Sequence, residues 1–280
     1  MRVVIDNNQI SGPQLEAFLR ASPSNRAVVT DWLWMEAYKS GSLEGVYKSV
    51  SVLAKFPRQV VVVKNSSMCM CTRVGSQMAN RLIWREIQQT FPTFITEVQA
   101  AQAGDSLMQG YVRSLCERAR DRMSEMLEDA PNILERQKII FDNMKSSDIE
   151  TIRGRRDAEP EVLIRLTQMA IEIADAHRSG LRDAVRPKAK DMLNDFGFRL
   201  GVALVCWFVE WVRTGSPKGL KPEKLRNDYV DAMISIYGTY FNGVMTGDGK
   251  LRKHHVVNRH LLSLIGARLP PAYGFESNEA

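Results

Sequence analysis

The sequence has few of the residues that carry redox, zinc or nucleophilic chemistry. Only four cysteines occur in 280 residues. Cys69 and Cys71 are too closely spaced for a usual zinc site, and Cys116 and Cys206 resemble ordinary core residues. Neither a Gly-x-Ser-x-Gly motif nor a supported Cys–His arrangement is present. These absences argue against a disulfide framework and a protein nucleophile, and they favour a reducing compartment.

The chain also lacks a hydrophobic run of membrane length. Its most apolar stretch, residues 200–209, falls short of the roughly 20 apolar residues that a spanning helix needs. Arg199 and Glu210 bracket that stretch, which favours a buried helix. The start of the chain is polar after Ile5 and does not predict a signal peptide. We therefore expect no membrane association and a cytoplasmic location.

Composition predicts a folded protein that is free to bind nucleic acid. A hydrophobic content of 44% supports a full core, which excludes a disordered chain. The formal net charge of +6 permits a nucleic-acid partner without requiring one. A length of 280 residues allows one large domain or two small ones.

Short β-branched runs at both ends of the chain predict an α/β fold with a parallel sheet. The runs end at polar residues and give way to helical periodicity, as parallel strands do. The third run is wholly apolar, which predicts a strand in the middle of the sheet. The four predicted strands are residues 1–5, 27–30, 59–64 and 243–246.

Residues 74–214 predict a helical insertion in this α/β core. Their apolar residues recur at spacings of three and four, and the block is too long for a loop. A basic loop at 217–222 then returns the chain to the core. The predicted organisation is a core of residues 1–73 and 215–269, the insertion 74–214 and a loose tail 270–280. The helices within the insertion are predicted near residues 75–90, 106–129, 132–144, 160–179 and 190–213.

Carboxylates follow the predicted strands or face them from a helix. Asp6 ends the first strand, Asp248 follows the last, and Asp231 lies one helical turn after Asp228. Ligands bind outside the carboxyl ends of parallel strands, so these acids are expected to converge there. Several carboxylates in one cleft favour a hard cation such as Mg²⁺ or Mn²⁺. Asp31 follows the second strand directly, and we favour a cap of the next helix over a role in the chemistry.

These pieces together resemble the PIN-like nucleases. The resemblance covers roughly residues 1–64 and 222–256, and it implies a PIN-like parallel sheet flanked by helices. The segments that carry it are Val-Val-Ile-Asp6-Asn-Asn8, Trp-Leu-Trp-Met-Glu36-Ala-Tyr, Asn-Asp228-Tyr-Val-Asp231-Ala and Val-Met-Thr246-Gly-Asp248. The sequence departs from the family at Asn242, where some members carry another acid.

The resemblance implies a site, a cofactor and a reaction. Asp6, Glu36, Asp231 and Asp248 would hold Mg²⁺ or Mn²⁺ and act in catalysis. Asp228 is a weaker candidate ligand, and Asn8 and Thr246 would hydrogen-bond to the ligands. The reaction would be hydrolysis of a phosphodiester by an activated water. RNA is favoured over DNA, and many family members are toxins or defence effectors or form oligomers.

Basic residues near the acids are candidates for phosphate contacts. Lys250, Arg252 and Lys253 follow Asp248 directly, and Lys64 ends the third strand on the same edge. A solvated surface would have the same composition.

Two alternatives to a nuclease remain. One is a non-catalytic PIN-like scaffold whose helical block binds a protein partner. Dispersed or ion-paired acids would favour it. The other is a phosphohydrolase of small nucleotides, which a closed pocket would favour.

Overall fold

The structure is a computed structural model, and its regular part is a small parallel sheet with helices on both faces. The backbone is described for residues 1–142, 144–153, 160–214 and 221–273, and the side chains for residues 1–128, 144–150, 160–213 and 221–273.

The sheet has four parallel strands. They are β1 (Arg2–Ile5), β2 (Arg26–Val29), β3 (Val60–Val62) and β4 (Val244–Met245), in the spatial order β3-β2-β1-β4. All three pairings are parallel, and Val4 lies opposite Val28 on one side and Val244 on the other. The predicted α/β class and the four parallel strands are confirmed.

Twelve α-helices occur in the described part of the chain. They are α1 (Pro13–Ala21), α2 (Asp31–Tyr38), α3 (Leu43–Lys55), α4 (Ser66–Met70), α5 (Met78–Arg81), α6 (Arg85–Gln102), α7 (Ser106–Asp142), α8 (Ser146–Arg153), α9 (Pro160–Ser179), α10 (Phe196–Thr214), α11 (Pro222–Tyr240) and α12 (Gly249–Leu264). Short 3₁₀ helices lie at Asn7–Gln9, Pro57–Gln59 and Ala189–Asn194.

The prediction that the third strand lies in mid-sheet is wrong, because β3 forms one edge. Its outer backbone groups are nevertheless paired. The Gln88 side chain in α6 donates to the Val60 carbonyl (2.7 Å) and accepts from the Val62 N–H (2.8 Å). The Trp84 N–H donates to the Val62 carbonyl at 2.9 Å. An edge covered in this way can be as apolar as a central strand.

The predicted insertion supplies helices to both faces of the sheet. Val4, Val28 and Val61 pack in one core with side chains of α10 and α11. Val3 and Val29 belong to a second core with α1, α3, α6 and α7. Since α6, α7 and α10 lie within residues 74–214, this block packs against the sheet.

The presence of helices in this block was predicted more reliably than the residues at which they begin and end. The helix near 160–179 is confirmed as α9, whereas α7 is one unbroken helix where two were predicted. The prediction of one helix over residues 75–90 is wrong. The four-residue helix α5 ends at Arg81, and a separate helix, α6, begins at Arg85 and continues past Pro92. In the described residues of 74–214, the strand-like feature is a single bridge between Val63 and Ile83.

The basic loop and the tail that were predicted for the last part of the chain are only partly described. The boundary at 215, the basic loop through 220 and residues 274–280 lie outside the described residues. The first part of the predicted loose tail is held against the body. The Tyr273 N–H donates to the Asn242 carbonyl at 2.8 Å, and the Tyr273 ring meets Phe18 edge-on with 5.0 Å between centroids.

No helix in the described ranges has the length and apolar character to cross a membrane.

Candidate functional site

Asp6 and Thr246 meet because β1 and β4 are parallel neighbours. Ile5 lies opposite Met245, and the Asp6 N–H donates to the Met245 carbonyl at 3.0 Å. The next residue of each strand therefore emerges at the same carboxyl edge. There the Thr246 hydroxyl donates to Asp6 Oδ2 at 2.6 Å, and the Asn7 N–H donates to Asp6 Oδ1 at 2.7 Å. Both oxygens of Asp6 are thus oriented.

Asn8 and Thr246 form a small polar network around this carboxylate. Asn8 Nδ2 donates to the Thr246 hydroxyl at 3.3 Å, and Asn8 Oδ1 accepts from the Gly247 N–H at 2.9 Å. The Asp248 N–H also donates to the Thr246 hydroxyl, at 2.9 Å. The hydroxyl of Thr246 is therefore the junction between the ends of β1 and β4.

Asp248 lies next to this junction as the N-cap of α12. Its Oδ1 accepts from the Lys250 N–H at 2.6 Å and from the Leu251 N–H at 3.3 Å. Capping of this kind satisfies N–H groups that have no partner within the helix. The Asp248 carboxylate is exposed, so its second oxygen can face solvent or a ligand.

Asp231 faces the same edge from α11, the helix that packs against β1 and β4. Burial raises the pKa of Asp231 to about 7, and the negative charges of Asp248 and Asp6 raise it as well. Asp231 therefore lies within electrostatic reach of both Asp6 and Asp248, which come from two other elements.

The Asp6 carboxyl is affected by the same surroundings. Burial raises the pKa of Asp6, the hydrogen bonds from Thr246 and Asn7 lower it, and the charges of Asp248 and Glu36 raise it. Glu36 thus lies within electrostatic reach of Asp6. However, the Glu36 carboxylate forms an ion pair with Lys39 on the next turn of α2.

Asp228 is also engaged in an ion pair. Its carboxylate is buried, one helical turn before Asp231, and it pairs with the half-exposed Lys250. Its negative charge raises the pKa of Asp231, although less than burial and the other carboxylates do. Asp228 therefore lies beside the cluster with its charge already compensated.

The interpretation of Asp31 as a helix cap is wrong. Thr30 is the N-cap of α2, because its hydroxyl accepts from the Leu33 N–H at 3.2 Å. Asp31 is the first helical residue, and its Oδ1 is buried without a hydrogen-bond partner in the described structure. Burial raises the pKa of Asp31 to about 6. Its place directly after the buried β2 strand made Asp31 a candidate for the chemistry, and capping was favoured instead.

The donor set of the cluster fits a hard divalent cation. Asp6, Asp231 and Asp248 offer carboxylate oxygens, which Mg²⁺ and Mn²⁺ prefer over nitrogen or sulfur. Their present conformations do not form a complete ligand set. Within the described side chains, no three His, Cys, Asp or Glu residues are grouped closely enough to hold one ion.

The basic residues predicted near the acids have partners within the protein. Lys250 pairs with Asp228, and Lys253 Nζ lies 2.7 Å from Glu210 Oε1. An Arg252 guanidinium nitrogen donates to the Thr246 carbonyl at 3.3 Å. Lys64 lies at the carboxyl edge, where Nζ donates to the Thr72 hydroxyl at 3.3 Å.

Asn242 lies at the opposite edge of the sheet from the acids. It precedes β4, and its Oδ1 accepts from the Arg2 N–H at 2.8 Å. Its Nδ2 donates to the Pro271 carbonyl at 2.9 Å. Asn242 therefore joins the start of β1 to the end of the described chain, and an acid at this position would not reach Asp6.

No family model, curated protein or solved structure matches this chain. The fold is that of an α/β protein with a parallel sheet flanked by helices.

Proposed function

We propose that this protein is a PIN-like, Mg²⁺- or Mn²⁺-dependent nuclease that hydrolyses phosphodiester bonds. The observation that carries the proposal is that Thr246 links Asp6 to Asp248 at the carboxyl edge of the sheet, within electrostatic reach of Asp231, whose pKa is raised to about 7. Repelling carboxylates cost free energy unless a proton or a cation compensates them. A parallel sheet also binds its ligands at this edge.

Asp6 and Asp231 are the residues that would hold the cation, with Asp248 beside them. Glu36 would join them on leaving Lys39, and Asp228 would join on leaving Lys250. A bound Mg²⁺ or Mn²⁺ supplies an activated water and offsets negative charge on the phosphodiester. Thr246 keeps Asp6 in one orientation, and Asn8 keeps Thr246 in place.

Protonation of Asp231 competes with binding of the cation. A carboxyl with a pKa of about 7 is about half protonated at neutral pH. Since a carboxylate must lose its proton to bind a metal, activity should rise as the pH increases through 7. This dependence distinguishes the site from one built on ordinary acids, which are ionised well below pH 6.

RNA as the preferred substrate, a role as a toxin or defence effector, oligomer formation and a cytoplasmic location extend the proposal. They rest on the resemblance to PIN-like nucleases. A protein partner at the helical block is a further expectation.

A non-catalytic scaffold is the second candidate, and two ion pairs favour it. Glu36 is paired with Lys39, and Asp228 with Lys250, so two of the five candidate ligands are compensated without a metal. In that case the acids would stabilise the fold, and the helical block would bind a protein.

Cleavage of labelled RNA and DNA by the purified chain tests the choice. We expect cleavage with Mn²⁺ or Mg²⁺ and none in chelator. Asp231→Asn and Asp6→Asn should each lower the rate by at least about 100-fold, because they remove a ligand. Asp183→Asn is the matched control, since Asp183 is an exposed acid elsewhere. Unchanged cleavage in Asp231→Asn, or none by the wild type with either ion, would favour the scaffold.

A further inference from the structure

A basic groove opens beside β3, lined by residues between 64 and 86. Its volume is about 520 Å³. Glu86 is the single acid among the ten residues that line it. In the described part of the chain, none of its cations forms an ion pair with a carboxylate. The four cations are Lys64, Arg73, Arg81 and Arg85. Their charges are therefore available to an anion from outside.

Local contacts hold two of these cations in place. Lys64 Nζ donates to the Thr72 hydroxyl at 3.3 Å, and Arg81 Nη1 donates to the Arg73 carbonyl at 3.2 Å. The Arg81 guanidinium lies against the backbone of Gly75. A methyl group at Gly75 would lie 2.6 Å from Arg81 Cζ, so glycine leaves the space that this position of Arg81 requires.

The groove begins at the same sheet edge as the carboxylates. Lys64 follows the carboxyl end of β3, and Asp6 follows that of β1, with β2 between them. Two strand spacings separate their backbones by roughly 10 Å. An extended anion of a few linked phosphates is long enough to span the distance between Lys64 and Asp6.

The lining indicates how a ligand would be recognised. Besides the cations it has hydroxyl and amide groups, including Gln77 and Asn80, and it has no aromatic ring. Proteins that bind the bases of single-stranded nucleic acid stack them on aromatic side chains, which this groove does not have. Contacts to phosphate and sugar position a nucleic acid without reading its sequence.

We propose that this groove binds the sugar-phosphate backbone of single-stranded nucleic acid, without sequence preference, and leads the strand to the carboxylates. The proposal rests on the nuclease function for its role and deepens it by naming the substrate contacts. It assigns Arg73, Arg81 and Arg85 to substrate binding together with Lys64.

Binding of a fluorescent single-stranded RNA in chelator tests the groove without cleavage. We expect Arg73→Gln/Arg81→Gln to weaken binding at least about ten-fold at low salt. It should also lower the slope of log affinity against log salt by about 1.4, since each phosphate contact on a single strand contributes about 0.7. Lys48→Gln/Arg58→Gln is the control, because it removes the same charge from exposed residues outside the groove. A loss in the control equal to that in the groove variant would overturn the proposal.

Three further measurements test the geometry of the groove, its lack of sequence preference and its preference for a linked backbone. Gly75→Ala keeps every charge but displaces Arg81, so it should weaken RNA binding several-fold with an unchanged melting temperature. Oligonucleotides of uniform and mixed sequence should bind alike, and ATP should compete poorly. RNA affinity unchanged in Gly75→Ala and in the double variant would overturn the proposal, as would ATP binding as tight as RNA.

The outcomes also distinguish this proposal from the nuclease function. Groove-dependent binding with no metal-dependent cleavage would retain the groove and reject the nuclease. The opposite result is metal-dependent cleavage that Asp231→Asn abolishes, together with normal RNA binding by the groove variants. It would retain the nuclease function and reject the groove.

Discussion

The Thr246 hydroxyl donates a hydrogen bond of 2.6 Å to the Asp6 carboxylate, which joins residues from the ends of two neighbouring strands. The two residues are 240 positions apart in sequence. This contact fixes the orientation of the most central acid of the cluster. It also opposes the effect of burial, because a hydrogen bond to the charged form lowers the pKa of a carboxyl.

Thr246→Val should destabilise the protein and raise the pKa of Asp6. The buried hydroxyl is replaced by a methyl group of similar size, which leaves Asp6 Oδ2 without this donor. The cost should be on the order of 1–3 kcal/mol. An acid whose pKa is raised in the folded state loses stability as the pH increases through that range, so the deficit should be larger at pH 8 than at pH 5. Urea unfolding at both pH values measures it.

Thr246→Ser is the control, because it keeps the hydroxyl. It should lose less stability than Thr246→Val at pH 8 and show less dependence of the deficit on pH. Equal deficits in both variants would mean that the methyl group of Thr246, rather than its hydrogen bond, supports the site.

Asp231→Asn should stabilise the protein without metal. Burial and the neighbouring carboxylates raise the pKa of Asp231 from 3.8 to about 7. The wild type should therefore lose stability as the pH rises from about 4 to 7, since the folded state binds more protons there. The variant removes that loss, and its gain at pH 8 should be on the order of 2 kcal/mol after relaxation of the site.

Melting in chelator at pH 5 and pH 8 measures this gain. The stabilisation should be small at pH 5, where the wild-type carboxyl is largely protonated. A lower melting temperature for Asp231→Asn at pH 8 would show that the carboxylate is satisfied by local contacts, and it would contradict a repelling cluster.

The strands were predictable from sequence, and their order was not. Valine-rich runs that stop at polar residues identify parallel strands because both faces of such strands are buried. The position of β3 depends on Gln88 and the backbone near Trp84, which cover its outer edge. The sequence around residues 60–62 cannot indicate that a later helix covers the outer edge of β3.

Part of the site was predictable for the same reason. Asp6 and Asp248 each follow a parallel strand, so the sequence places both at the carboxyl edge of the sheet, whereas their contact through Thr246 depends on β1 and β4 being neighbours. The pair of Asp228 with Lys250 depends on how α11 packs against α12, and neither segment reveals it alone. The cap of α2 was misassigned because Thr30 and Asp31 are both good caps, and the backbone decides between them.

Lys39→Gln should increase the affinity for Mn²⁺. Lys39 holds the Glu36 carboxylate, so removing it frees a ligand for the cluster. Because a partly exposed ion pair contributes up to about 1 kcal/mol, the gain should be about two- to five-fold. Isothermal titration with Mn²⁺ measures it, and Lys48→Gln controls for the loss of one positive charge. Equal affinities for the two variants would place Glu36 outside the metal site.

Gln88→Ala should destabilise the sheet. The side chain bonds to two backbone groups of β3, and removing it leaves both the Val60 carbonyl and the Val62 N–H unpaired. The expected loss is about 1–3 kcal/mol in urea unfolding. Gln89→Ala, a change of the exposed neighbour in the same helix, should have little effect. Similar losses in both would assign the effect to helix α6 instead of the edge strand.

Titration with Mn²⁺ near pH 7 tests the carboxylate cluster most directly. Calorimetry in two buffers of different ionisation enthalpy measures both the affinity and the number of protons released. We expect saturable binding that releases part of a proton per ion, because Asp231 has a pKa of about 7 and must ionise to bind. Asp231→Asn should lose the proton release and most of the affinity, whereas Asp183→Asn should retain both. Absence of saturable binding, or identical binding by Asp231→Asn, would contradict a cation site at this edge of the sheet.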